Sequence, residues 1–450
     1  MKSIIPSIIF ILLSSFPGKL SGQDIRLITC IDSALTNKGN IQAVRIDNEI
    51  ARLETSAASQ RYLPDLSLNY NYRYNPIIPT QIIPLGQFSQ IPTDEKRPIK
   101  FGTDWQQNAG LTLYQPIIDF SIKSRVAESR INEKLRNTDA AAAERDLKLE
   151  VIKSFTNIWL REEQLRSATL DTLRTSRTKE LFMLKSQEGK VLKTDVNRAI
   201  LNHNNSLSEY VAVSSALTRE KIYMSFLTGI SLDSLLAGRF DFSPFSDGGL
   251  QVSNTDPLLD SVPSVKSLML RAELLGQQQK SERTKHTPAI GFEGFLGANQ
   301  YTDDFNPFLS DSWYGISYLG LSLRLQIISG SSTKNSVSRL KLEEKGIISR
   351  LDDEINNVSN KSLLLMEEIR QAEFQVGLFR QNAALYEENL SLNQDRFDKG
   401  QINAYDLITD EIDFQKEMTR LNEKRAELVY KQIELINNTG ALSSFIDNLR

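Results

Sequence analysis

"LSLNYNYRYN", Leu66 to Asn75, alternates without a fault: Leu66, Leu68, Tyr70, Tyr72 and Tyr74 are apolar or aromatic, and every residue between them is polar. A period of two belongs to a strand with one apolar and one wet face. Three further segments carry the same pattern. Residues 106–117 set Ala109, Leu111 and Leu113 against Asn108, Gly110, Thr112 and Tyr114. Residues 289–300 set Ile290, Phe292, Leu296 and Ala298 against Gly291, Glu293, Gly297 and Asn299. Residues 316–328 set Leu319, Leu321, Leu323, Leu325 and Ile327 against Gly320, Ser322, Arg324 and Gln326. With 65–75 these make four expected strands of about ten residues, the length a tilted strand needs to cross a bilayer.

The rest of the chain reads as helix. Ser332 to Lys399 contains no proline, and one helix there would reach roughly 100 Å at 1.5 Å per residue. Gly377 and a break near Gln381–Ala384 are expected to divide it. Leu407, Phe414, Leu421, Leu428 and Leu435 fall seven apart, a sustained heptad stripe, with Ile412, Ala426 and Ile433 on a second flank. Val196, His203, Tyr210, Leu217 and Met224 form the corresponding stripe upstream, which makes His203 a packing residue. Pro76 to Asp104 holds five prolines and reads as an irregular loop; "TDDFNPFLSDS" joins the other strand pair.

Order is kept between two halves. "QEGKVLKTDVNRAILN" and "DKGQINAYDLITDEID" each hold a glycine followed six residues later by an aspartate: Gly189 with Asp195, Gly400 with Asp406. "YLPDLSLNYNY" is echoed by "HTPAIGFEGFL", and "LTLYQPII" by "LSLRLQII". The expected organisation is a secretory signal at 1–22, a first structural repeat over 23–230, a linker rich in Ser, Asp, Gly and Pro over 231–262, and a second repeat over 263–450. The signal rests on Lys2, the apolar run Ile4–Leu13 and the small residues Ser21 and Gly22; that run is too short to span a bilayer.

Composition narrows the function classes. A net charge of −3 offers no nucleic-acid surface. One cysteine, Cys30, excludes an internal disulfide framework, and two histidines leave little for a metal centre. The sequence holds no P-loop, G-x-S-x-G or zinc motif, so no catalytic residue and no cofactor are expected. His286, in "RTKHTPAI", belongs to a helix-to-strand junction. In lipid every backbone N–H and C=O must be paired, so spanning strands demand a closed barrel. The smallest bacterial barrels have about eight strands, so at least two copies of a four-stranded chain must contribute. The wet faces, with Arg73, Glu293 and Arg324, then line a lumen, and Tyr70, Tyr72 and Tyr74 lie toward the rim. The competing class is a periplasmic or surface coiled-coil scaffold without a pore.

At this point the chain resembles the TolC-like outer-membrane efflux proteins. The resemblance rests on "LITCIDSALTNKGNIQAVRI", the two helix-to-strand junctions, the return strand "LTLYQPI" and the two Gly-to-Asp turns, and covers nearly all of the sequence after the signal. It implies a homotrimer sharing a twelve-stranded transmembrane β-barrel, four strands per chain, continued by a long α-helical periplasmic barrel. It implies passive export through a Gram-negative-type outer membrane, driven by an inner-membrane pump through a periplasmic adaptor. The cargo, whether small molecule, metal ion or polypeptide, stays open. The resemblance places Asp406 at the first of two carboxylate positions narrowing the tunnel entrance. Thr409 stands at the second, with Asp410 beside it, so half the pattern is kept. Phe397 and Ile402 stand where a tyrosine and an arginine tie the entrance shut, implying a differently built gate. Gly189 and Gly400 are expected to reverse the helices at adaptor-docking tips. Asp195 is expected to cap or bridge helices, and a helix-capping role is open to Asp406 as well.

Overall fold

The computed structural model describes residues 24–84, 96–245, 250, 258–305, 313–327 and 331–449. In chain order its elements are β1 (Asp24–Ile25), α1 (Leu27–Asn37), α2 (Gly39–Gln60), β2 (Asp65–Tyr74), β3 (Thr80–Pro84), β4 (Lys96–Lys100), β5 (Trp105–Ile118), α3 (Phe120–Gln187), α4 (Lys193–Thr228), α5 (Leu232–Ala237), β6 (Arg239–Phe240), α6 (Pro263–Thr284), β7 (Ala289–Thr302), β8 (Trp313–Arg324), α7 (Ser332–Asp398), α8 (Ala404–Asn438) and α9 (Leu442–Asp447). Helix, strand, strand, helix of 68 or 67 residues, then helix of 36 or 35 residues occurs twice in that order. No helix among the described residues is long and apolar enough to cross a membrane. The expected signal at 1–22 lies outside the described residues.

The chain forms two compact units. One, residues 44–140 and 263–354, holds an antiparallel sheet in the order β2-β5-β7-β8. Register carries the alternation of single strands across the whole sheet. Leu66 pairs with Leu113, and Leu113 with Gly294; Leu68 pairs with Leu111, and Leu111 with Leu296. Since side chains alternate faces along every strand, one face gathers the leucines of all four strands. Leu68 and Leu319 on it are 75% and 76% exposed. The opposite face gathers Asn71, Asn108 and Asn299 in register, and Asn108 Nδ2 donates to Asn299 Oδ1 at 2.6 Å. Here the strands close up on glycine: a Cβ on Gly297 would meet the Ala109 carbonyl oxygen at 2.4 Å, and the Phe295 ring covers Gly110.

Three details differ from the sequence reading. The stretch 76–104 is not wholly irregular, because β3 and β4 pair as a hairpin with Ile82 opposite Pro98. A two-stranded ribbon leaves one side of each strand unpaired, so a proline costs it no ladder bond there. The fourth strand runs Trp313–Arg324 rather than 316–328. Gln107 and Gln300 fall on the leucine face, yet both are buried. Tyr70 Oη donates to Gln107 Oε1 at 2.7 Å, and Gln107 Nε2 to Gln300 Oε1 at 2.7 Å, so the polar pair is satisfied where the pattern calls for apolar residues. At the end of the sheet farthest from α2 and α3, Tyr72, Tyr74, Trp105 and Phe305 cluster, with Tyr72 stacked on Trp105 at 5.1 Å.

The described part of the second unit, which takes in α1, most of α3, α4, α5, the later part of α7, α8 and α9, is mainly helical. Its largest core joins Cys30 and Ile31 of α1, Phe155 and Ile158 of α3, Met224 of α4 and Ile433 of α8. The expected linker 231–262 is no bare tether: Leu235, Phe240, Phe245 and Leu250 are buried in this core, and β6 pairs in parallel with β1. The α7 helix runs unbroken through Gly377 and Gln381–Ala384. With no proline in the helix, Val376, Ala383 and Leu390 continue a buried heptad stripe straight through the expected break. Burial pushes the Cys30 thiol up to about 12. Reaction with a maleimide at neutral pH is therefore expected only after denaturation; labelling of the folded protein, read by mass spectrometry, would contradict this packing.

Candidate pore entrance

Two tight reversals lie in the helical unit, and both are built on a left-handed glycine. Gly189 has φ 73° and Gly400 φ 74°. Past α3, Lys190 N–H returns to the Lys185 carbonyl at 2.9 Å and Gly189 N–H to Ser186 at 3.0 Å. Past α7, Gln401 N–H returns to Arg396 at 2.8 Å and Gly400 N–H to Phe397 at 3.0 Å. This pair of bonds is the Schellman closure, which satisfies the last helical carbonyls and needs a residue free to take positive φ.

The two helices leaving these turns begin differently. On α8, Asn403 caps the helix, its Oδ1 accepting from Asp406 N–H at 2.9 Å. The capping role open to Asp406 thus falls to Asn403. Asp406 sits in the first turn with its carboxylate exposed, where the helix dipole favours a negative charge. Thr409 donates to the Tyr405 carbonyl at 2.9 Å. Asp410 is engaged within the hairpin, accepting from Asn393 of α7 at 2.7 Å. On α4 the cap position is Leu192 with no side-chain bond, and Asp195 is a half-buried first-turn residue rather than a cap.

Phe397 and Ile402 join the α7–α8 turn to the α3–α4 turn through an apolar cluster. Phe182, Ala199, Leu390, Phe397, Ala404, Leu407 and Ile408 are its buried members, with Ile402 packed at its edge. The Phe182 and Phe397 rings lie 5.1 Å apart. Lys185 covers the cluster, its Nζ 4.1 Å from the Phe397 ring centroid and 3.6 Å from Asp398. Further along the same helices comes a polar layer the sequence reading did not single out. Glu411 is completely buried. Thr178 Oγ1 donates to its Oε1 at 2.6 Å and Asn202 Nδ2 to its Oε2 at 3.3 Å. Arg174, itself ion-paired with Asp171, donates to the Glu411 carbonyl at 3.2 Å. Counting from Leu407, position 411 falls on the apolar seam of the heptad pattern, and a charge there is the signal that could have found it. His203, expected as packing, is half-buried with Nδ1 3.2 Å from Thr175 Oγ1.

Of the expected lumen residues, Arg73, Glu293 and Arg324 share the sheet face opposite the leucines, as their pairing with Gln106, Tyr114 and Ala289 requires. His286 lies between α6 and β7, as expected, with Nδ1 3.0 Å from the Gln326 carbonyl oxygen.

The fold, a four-stranded antiparallel sheet together with helices of up to 68 residues and glycine reversals, is similar to that of solved outer-membrane channels. The outer membrane protein VceC of Vibrio cholerae superposes with a TM-score of 0.71 at 13% identity, covering 92% of this chain and 96% of VceC. The open state of the MtrE outer membrane channel of Neisseria gonorrhoeae gives 0.70 at 16% identity, covering 92% and 89%. The Campylobacter jejuni CmeC outer membrane channel gives 0.67 at 16%, covering 94% and 90%. No protein-family model and no curated protein matches the sequence itself.

Proposed function

We propose that this protein is a passive exit duct of a Gram-negative-type outer membrane, working in a tripartite efflux or type I secretion system. The observation that carries the reading is the sheet: four strands, one face on which the exposed leucines of all four gather, and edges at β2 and β8 with no partner strand among the described residues. Such edges are tolerated in lipid only when paired. In this reading three copies pair β8 of one with β2 of the next and close a twelve-stranded barrel, with Arg73, Glu293 and Arg324 toward its water. The α7 helix supports the same arrangement. Its buried stripe is matched by exposed Leu378, Leu385 and Leu392, again seven apart, a seam suited to a neighbouring copy. The long helices then form a periplasmic tunnel, and the turns at Gly189 and Gly400 dock a periplasmic adaptor and, through it, an inner-membrane pump.

Asp406 is the residue assigned to the tunnel throat, with Thr409 and Asp410 behind it. Three exposed carboxylates about a symmetry axis concentrate negative potential and favour cations. The test is single-channel recording of the purified protein in planar bilayers. Asp406→Asn is expected to lower the cation-to-anion permeability ratio, and Thr409→Asp to raise it. Unchanged selectivity in both variants would remove Asp406 from the throat; the absence of any channel would remove the duct.

A further inference from the structure

We infer that Glu411 is a positioning residue of the entrance: it keys α8 to the α3–α4 hairpin and so fixes where the first turn of α8, with Asp406, stands. The inference rests on the duct reading. Glu411 lies five residues beyond Asp406 on one unbroken helix, about 7.5 Å along its axis at 1.5 Å per residue. Its two carboxylate oxygens are held from two different helices, Thr178 on α3 and Asn202 on α4. Arg174 grips it twice more, with Nε 3.7 Å from Oε1 and a bond to the backbone carbonyl. No other fully buried carboxylate among the described residues bridges the two hairpins. The apolar cluster around Phe182 and Phe397 glues the hairpins without fixing their register, because apolar packing is non-directional. A carboxylate hydrogen-bonded from two different helices supplies the register.

The node also answers to protons. Asp171 and Glu411 share the single guanidinium of Arg174, so the ionised cluster carries an unbalanced negative charge. Burial pushes both carboxyls above the ordinary carboxylate range, against the pull of Arg174 on each and of Thr178 on Glu411. The other charged and titratable groups around it are Glu163 and Arg166 on α3, paired with each other, His203 and Glu209 on α4, Lys416, Arg420 and Arg425 on α8, and Glu387 on α7. Arg420 is committed to Glu417. A cavity of about 490 Å³, lined by Arg174, Asn202, Glu411 and Gln415, lets water reach the cluster. The sign follows from linkage. A carboxyl with a raised value in the packed state holds its proton more tightly there than when the hairpins part and water solvates it. Packing is therefore favoured as pH falls toward the ordinary carboxylate range and weakens as pH rises through the raised value.

The experiment is single-channel conductance of the full-length protein across a pH series running upward from the ordinary carboxylate range. The wild type is expected to conduct several-fold less at the acid end. Glu411→Gln keeps the shape and removes the Glu411 titration, leaving Asp171 with Arg174 to itself, and its conductance is expected to vary several-fold less with pH than that of the wild type. Thr178→Val removes a bond that favours the charged carboxylate, so the transition is expected to move to higher pH; this variant decides the matter if the glutamine variant fails to fold. A wild-type profile that is flat, or one that Glu411→Gln reproduces, overturns the inference. A wild type that forms no channel overturns the duct reading and this inference with it.

Discussion

Leu296→Arg is expected to prevent the protein from assembling in an outer membrane. Leu296 stands near the middle of β7, between Leu111 and Ser317, on the face where the exposed leucines of all four strands gather. An arginine on the lipid face near the bilayer midplane costs about 2–4 kcal/mol. In a shared barrel that cost recurs in every protomer, which is enough to favour the unassembled chain. The control is Asn71→Arg, on the opposite, wet face of β2, where the new charge meets water. The amount of assembled protein in outer-membrane fractions should fall steeply for the first variant and little for the second. Equal recovery of both would mean that the leucine face does not contact lipid.

The second large effect is expected from Phe182→Ala. Phe182 is fully buried, against Phe397 from the other hairpin. Removing a buried phenylalanine side chain typically costs about 3–5 kcal/mol, the loss growing with the cavity left behind. Here the loss falls on the contact that holds the two turns together, so the expected outcome is a more frequently open, higher-conductance channel. Limited proteolysis should also cut faster near residues 187–193 and 398–403. Lys185→Ala, which removes a partly exposed ion pair, a cation over the Phe397 ring and a long 3.4 Å bond to the Phe397 carbonyl, should change both readouts far less. If Phe182→Ala is as closed and as protease-resistant as the wild type, the apolar cluster is not what holds the turns.

The sheet was legible in the sequence because a period of two depends only on local order. Leu66 to Tyr74 announces its own two faces, and the same holds for the other three strands. What joins those faces into one is register, which lies between residues such as Leu68, Leu111 and Leu296 that are far apart in the chain. The glycine reversals were legible for a similar reason, since Gly189 and Gly400 mark positive φ wherever a long helix must stop. The α7 break was misread because Gly377 and the polar stretch after it look weak locally, while the buried stripe through Val376, Ala383 and Leu390 keeps the helix continuous. The β3–β4 hairpin was hidden by its prolines. Glu411 was hidden because a glutamate in a charged helix normally faces water, and its partners Thr178 and Asn202 come from helices more than two hundred residues earlier. That Phe397 and Ile402 are apolar was visible; only the structure supplies Phe182 as what they pack against.

The measurement that bears most directly on the duct is the mass of the detergent-extracted protein from an outer-membrane fraction, by light scattering corrected for bound detergent. Three copies of the 50.9 kDa chain, less any cleaved signal, are the predicted result. A monomer or dimer recovered from the soluble fraction without detergent would contradict it, and would return the leucine face to a protein core and the chain to the class of coiled-coil scaffolds.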